Sequence, residues 1–247
     1  MWGAPDTEPW YRNPERRNIG EIWFAASDSV PLLVKLLFTN DNLSVQVHPG
    51  DHYARKHHAS LRNPRGKTEM WHILRAEPGA KIALGLRSVL KPQQLRDAAL
   101  SGEIMELLNW VEARAGDTFF VPAGTIHAIG GGLTLCEVQQ HSDITYRLYD
   151  YGRDRELHLD HAVAVSNLEP QGSAEVGLPV ESDYFLTDRI QVNGSVQVDG
   201  EGRRLYIALA GHGSIAGEAF GPGDAFEAAE SFEIVSEDAT FLVTEAR

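Results

Sequence analysis

Cysteine is nearly absent: Cys136 is the only one in 247 residues. That excludes a disulfide framework and a thiolate cage for zinc. No apolar run approaches the roughly 18 residues that a membrane helix needs. The opening segment, MWGAPDTEPWYRNPERR, has no apolar stretch of the secretory type, so a cytoplasmic location is expected. Positive charge is also short. Lys and Arg number 22 against 35 Asp and Glu, a net charge of −13. Such a balance argues against nucleic acid or an anionic membrane as partner. There is no repeat of solenoid length and no low-complexity tract.

The charge deficit is uneven. Residues 169–247 hold 15 acidic and 4 basic residues, a net −11, which leaves −2 for residues 1–168. The acidic part reads as a solvated surface that aids solubility. The nearly neutral part tolerates an anionic small molecule. With 43% hydrophobic residues, a sizeable core is available. The length suits one large β domain or two smaller ones.

Short apolar runs between turn residues predict a mainly β chain. Residues 1–20 read as irregular, with Trp2, Trp10 and Tyr11 pinning them to the body. EIWFAA, VPLLVKLLFTN, LSVQVHP, MWHIL and AKIALGL read as strands. So do the runs on either side of the turns in VEARAGDTFFVPAGTIHAI, then LTLCEVQQ and TYRLYDYG. Helical spacing occurs over Lys91 to Leu108, broken at Ser101-Gly102. DHYARKHH reads as a loop or short helix, and HLDHAVAVSN suits a short helix. Glu169 to Gly177 is expected to be a linker. Beyond it, strands of 5–8 residues with Gly-rich turns predict an antiparallel sandwich or barrel. The turns ARAGDTFF and AFGPGDAFE echo each other, which suggests two related β units. The expected division is 1–168 and 169–247, with a short helical insertion near 91–108.

Residues i and i+2 of a strand share a face. Gln46 and His48 therefore project together, just before Pro49-Gly50 ends the strand. Glu69 sits in an apolar strand context, where an unpaired carboxylate is costly. His127 follows Pro-Ala-Gly-Thr, a turn that places it at a barrel mouth. An amide, two imidazoles and a carboxylate form a donor set that suits a divalent metal of borderline hardness. His72, three residues beyond Glu69, belongs on the opposite face. His52, His57, His58 and His212 read as solvated.

The basic residues carry open alternatives. Lys67 shares a face with Glu69. Lys35, inside an apolar run, either snorkels to the surface, the commoner outcome, or faces a polar cavity. Arg147 either pairs with a carboxylate or holds an anion. Glu137 is either that partner or a proton-transfer group.

SVQVHP, GKTEMW, FVPAGTIHAIG and EVQQHSDITYRLYDYGR, in this order, resemble the type I mannose-6-phosphate isomerases of the short bacterial branch. The likeness spans residues 18–162, with Trp2-Gly3 also similar; the C-terminal part resembles a degenerate second cupin loosely. The resemblance implies a double cupin of two antiparallel β-barrel or jelly-roll units. It implies one Zn2+ per chain on Gln46, His48, Glu69 and His127. It implies active-site roles for Arg147, Lys67 and Glu137, and substrate binding by Lys35 and Ser44. The implied reaction interconverts mannose 6-phosphate and fructose 6-phosphate through a cis-enediol. The chain is shorter than its relatives, so Arg62 and Arg65 are candidate replacements for missing phosphate contacts. The competing readings are a non-catalytic sugar-phosphate-binding cupin and a metal-dependent cupin acting on another sugar phosphate. The expected partner is a small sugar phosphate, with the chain a monomer or homodimer.

Overall fold

The computed structural model describes residues 2–24, 30–172, 175–200 and 202–247. The last residues of the expected EIWFAA strand lie outside the described residues. The elements run β1 (Glu21–Phe24), β2 (Leu32–Thr39), β3 (Val45–Val47), α1 (Asp51–His57), β4 (Glu69–Ala76) and β5 (Lys81–Leu86). Then come α2 (Pro92–Ser101), α3 (Ile104–Leu107), β6 (Leu108–Glu112), β7 (Thr118–Val121), β8 (His127–Ile129) and β9 (Leu133–Gln140). β10 (Tyr146–Tyr149), α4 (Leu159–Val165), β11 (Glu175–Val176), β12 (Val180–Glu181) and β13 (Phe185–Val198) follow. The chain closes with β14 (Arg204–Ala210), β15 (Gly213–Ile215), β16 (Glu218–Phe220), β17 (Ala225–Ala228) and β18 (Phe232–Ala246). No described helix is long and apolar enough to cross a membrane.

The fold is mainly β, in three antiparallel sheets. The first has the order β1-β2-β9-β4-β7-β11 and the second β10-β3-β8-β5-β6. The third runs β12-β13-β18-β14-β17, with β15 bridging β16 and β18. Side-chain alternation decides what each face does. Leu37, Trp71, Ile73, Phe119 and Leu135 from the first sheet pack against Ile82, Leu84 and Ile129 from the second. The back of the second sheet is covered by the helices through Leu95, Ala98, Ile104 and Ala162. The back of the first sheet presents Leu32, Val34, Leu36 and Phe38 to Phe185, Leu205, Ile207, Leu209 and Leu242 of the third. Each such side chain, fully buried, contributes about 1.5–3 kcal/mol.

Helix α2 starts with Pro92 in its first turn, while the Gln94 side chain caps the Lys91 N–H at 2.8 Å. It ends at Gly102, φ 84°. The break expected at Ser101-Gly102 is therefore present. The echoing turns are also structurally alike. Asp117 Oδ2 accepts the Arg114 N–H at 2.8 Å, and Asp224 Oδ2 accepts the Gly221 N–H at 2.8 Å. Gly116 and Gly223 take matching φ values of 95° and 89°.

Three expectations are corrected. β13 and β18 span 14 and 15 residues, not 5–8, because one irregularity between Val192 and Gly194 carries the pair past the break. Gly194, φ 96°, lies at that irregularity rather than in a turn. The expected linker contributes β11, which pairs with β7 at the edge of the first sheet. In the N-terminal segment, Trp10 Nε1 donates to Leu209 O at 2.8 Å and Trp2 reaches the cleft described next, but Tyr11 is exposed.

Candidate active site

Two cross-strand rows face each other between the first and second sheets. On the first sheet, Lys35 stands opposite Glu137, which stands opposite Trp71. Glu69 lies on the same face, one pleat along. On the second sheet, Arg147 stands opposite Gln46, which stands opposite His127. His48 follows at the end of β3. The period of 2 that put Gln46 with His48 and Lys67 with Glu69 on one face is the one observed.

Backbone contacts fix these strands against one another. The Lys67 N–H donates to Pro49 O at 3.0 Å, and the Gly124 N–H donates to His48 O at 2.9 Å. Glycine is required at 66, where a Cβ would come within 2.7 Å of the Asp51 backbone nitrogen. The turn before His127 and the loop before Lys67 are thus both tied to the end of β3.

His48, Glu69 and His127 are buried with their donor atoms within 4.8 Å of one another, a group capable of holding a metal ion. His48 Nε2 lies 3.5 Å from Glu69 Oε2, and His127 Nε2 lies 3.5 Å from Glu69 Oε1. His48 Nδ1 donates to Ile144 O at 3.0 Å and His127 Nδ1 to Thr125 O at 2.9 Å. A carbonyl only accepts, so both protons sit on Nδ1 and both Nε2 atoms are left as acceptors, with Lys67 Nζ 3.3 Å from that of His48. Burial pushes the His127 pKa down to about 4 and carries His48 well below its ordinary value. Both imidazoles are neutral. Gln46 Nε2 lies 3.2 Å from His127 Nε2, and Ser44 Oγ donates to Gln46 Oε1 at 3.3 Å.

Charge alternates along the wall. Lys67 Nζ is 2.9 Å from Glu69 Oε2 and 3.7 Å from Glu137 Oε1. That close ion pair engages Oε2, whereas Glu69 Oε1 is buried without a hydrogen-bond partner. Burial and the neighbouring Glu137 push the Glu69 pKa up to about 7, against the opposing pull of Lys67. Burial opposes the Lys67 charge, but Glu137 and Glu69 outweigh it and hold the ammonium's pKa above the usual value. Burial likewise opposes ionisation of Glu137, yet Lys67 and Lys35 keep it a carboxylate. Trp71 Nε1 donates to its Oε2 at 3.1 Å.

A cleft of about 130 Å³ opens onto this wall, and Ser44, Gln46, Lys35, Lys67, Glu137 and Arg147 all border it. Trp2, Glu21, Asp143 and Arg155 border it as well.

The sequence of this chain matches the family model described as phosphomannose isomerase type I, catalytic domain, over residues 12–73. It is 38% identical over 213 residues to a mannose-6-phosphate isomerase of Streptococcus mutans, covering 79% of this chain and 66% of that protein. It is 45% identical over 144 residues to the Bacillus subtilis mannose-6-phosphate isomerase ManA, covering 56% of this chain and 44% of the relative. The crystal structure of a mannose 6-phosphate isomerase from Bacillus subtilis superimposes with a TM-score of 0.78 at 30% identity. That match covers 90% of this chain and 77% of the other. The chain belongs to the type I phosphomannose isomerase family. It spans between 44% and 66% of the length of these two curated relatives.

Within this family frame, several expectations change. Lys35 does not snorkel: it is buried, with Nζ 3.3 Å from Glu21, 3.8 Å from Glu137 and 4.3 Å from the centre of the Trp23 ring. Its strand reads as uniformly apolar because both faces are covered. Arg147 does not pair with Glu137, since the two lie on opposite sheets. No described carboxylate lies within ion-pair distance of Arg147, and its Nε is buried without a partner. Arg62 and Arg65 do not border the cleft; the additional arginine there is Arg155, held at 2.6 Å by both oxygens of Asp150. His58 is half-buried rather than solvated, with Nε2 2.6 Å from the Tyr146 hydroxyl. His52, His57 and His212 are exposed. His72 faces away from the site, bonded to Thr118 Oγ1 at 2.9 Å. Glu21 and Trp2 escaped a sequence reading of function, although both lie in stretches, EIW and WG, that carry the family likeness.

Proposed function

We propose that the chain interconverts mannose 6-phosphate and fructose 6-phosphate through a cis-enediol, with one Zn2+ held by Gln46, His48, Glu69 and His127. One observation carries this reading: a fully buried carboxylate, paired with Lys67 at Oε2 but without a hydrogen bond at Oε1, with the Nε2 atoms of two neutral imidazoles each 3.5 Å from it. An arrangement so costly to bury fits a cation at its centre. Turned over, the Gln46 amide offers Oε1 to that centre and donates Nε2 to Ser44 Oγ. Zinc, when bound, supplies a Lewis acid that polarises and orients the substrate's carbonyl and hydroxyl oxygens.

The remaining chemistry belongs to the side chains. Glu137 is ionised and borders the cleft, so it serves as proton acceptor and returns the proton to the neighbouring carbon. Lys67 and Arg147 supply fixed positive charge beside the developing enediolate. Lys35, Ser44 and Arg155 give the rim that binds the phosphate. Residues 1–168 hold this machinery, and residues 169–247 serve as its backing.

The test is a coupled assay for fructose 6-phosphate formed from mannose 6-phosphate, run with metal analysis of the purified chain. Turnover with about one zinc per chain is expected. Binding of mannose 6-phosphate without turnover would favour a sugar-phosphate sensor instead, and turnover of a different aldose phosphate alone would reassign the substrate.

A further inference from the structure

Strand β10 is at the edge of its sheet and pairs with β3 on one side only. The ladder shifts register between Arg147 and Tyr149, so β3 pairs with this strand only at Tyr146, Arg147 and Tyr149. Buried edge groups need partners. At Arg147 both come from one residue. The Arg147 N–H donates to His158 Nδ1 at 3.2 Å, and the His158 N–H donates to Arg147 O at 2.8 Å. His158 is itself anchored, because its carbonyl accepts the Ala162 N–H at 2.8 Å in the first turn of α4.

We propose that His158 is a positioning residue, a two-point clamp on the Arg147 backbone that holds the guanidinium at the cleft. The role rests on the isomerase reading above. Since Nδ1 accepts, the ring proton sits on Nε2, which lies 4.0 Å from Glu156 Oε2. The other groups facing the ring are Arg147 and Tyr146 from β10 and His161 from α4. Tyr53, His57 and His58 of the α1 region meet Tyr146 and His161 instead. Partial burial and then the charge of Arg147 lower the His158 pKa, which favours the accepting form. An imidazolium has no lone pair to offer, so acid opens the clamp.

The experiment compares His158→Ala and His158→Asn with the parent in the zinc-loaded full chain. Asparagine offers Oδ1 where Nδ1 stood and does not titrate. H158A should lower kcat by about tenfold to a hundredfold, with KM and bound metal little changed. H158N should restore most of that loss, and its kcat should persist to lower pH than the parent's. Parent-like kcat in H158A, or equal impairment of H158A and H158N, would overturn the clamp. If the parent itself does not turn over mannose 6-phosphate, the functional reading fails and amide exchange at Arg147 decides. Exchange at least tenfold faster in H158A than in the parent and H158N supports the clamp; equal exchange in all three refutes it.

Discussion

Lys67→Met removes one ammonium from a buried wall and leaves a side chain of similar length. The lost contacts are 2.9 Å to Glu69 and 3.7 Å to Glu137. At an effective dielectric of about 20 they are worth about 6 and about 4 kcal/mol. Dehydration of the three ions takes back several kcal/mol each, so the gross attraction is not the net effect. Removing one partner of a buried pair costs about 3–5 kcal/mol, because the remaining charges stay buried and uncompensated. For a chain of this size, at about 2–4 °C per kcal/mol, the metal-free variant should melt about 6–20 °C lower. The defect has a pH signature. The Glu69 pKa of about 7 is raised above its unfolded value, so this carboxyl favours folding at low pH and loses that contribution as pH rises through about 7. Without Lys67 it titrates higher still, and the K67M defect should be largest at alkaline pH and shrink below 7. Adding Glu137→Gln removes the repulsion that K67M exposes. Calorimetry of the metal-free parent, both single variants and the double variant completes the cycle. A K67M cost below about 1 kcal/mol at pH 8, or strict additivity with E137Q, would refute the reasoning.

Other outcomes follow from the same geometry. Arg147→Ala should lower turnover by about two to three orders of magnitude while bound zinc is retained; normal turnover would remove Arg147 from the machinery. Zinc returned to chelator-treated protein at 100 times its Kd should add about 2.7 kcal/mol, read as a rise of about 5–11 °C in Tm. His127→Ala should abolish that response. His72 is buried neutral, its pKa lowered to about 4 by burial and by Arg189, below its unfolded value. Its contribution is therefore present above pH 6.5 and lost as pH falls towards 4, about 3 kcal/mol in all. In denaturant titrations over that window, His72→Leu should lose correspondingly less stability than the parent.

The parts of the site governed by local periodicity were legible in the sequence. Gln46 with His48, and Lys67 with Glu69, share faces because a strand repeats every two residues. His72 faces away for the same reason. Pairings that depend on which sheet a strand joins were not legible. Glu137 and Arg147 are ten residues apart, yet β9 and β10 enter different sheets and the two side chains stand on opposite walls. The burial of Lys35 was hidden because an apolar run looks the same whether one face or two are covered. Deciding it required the third sheet, whose Leu205 and Ile207 pack behind β2. The long strand β13 was obscured because Gly194 sits at a bulge inside it, where Gly-rich turns were expected between short strands. Arg155 was missed because it enters the cleft from an irregular segment with no period to follow.

The packing of Phe185, Leu205, Ile207, Leu209 and Leu242 behind β2 has a consequence for cooperativity. The third sheet supplies no donor to the candidate metal centre, but it covers the reverse of the strand that carries Lys35. Peeling it away would expose Leu32, Val34, Leu36 and Phe38 together, so neither part opens cheaply without the other. The inner face of the third sheet is thereby constrained by partners roughly 150–210 residues upstream in the same chain. Among the described residues the third sheet adds nothing to that centre, and it is held in place by the shape of the first sheet's back.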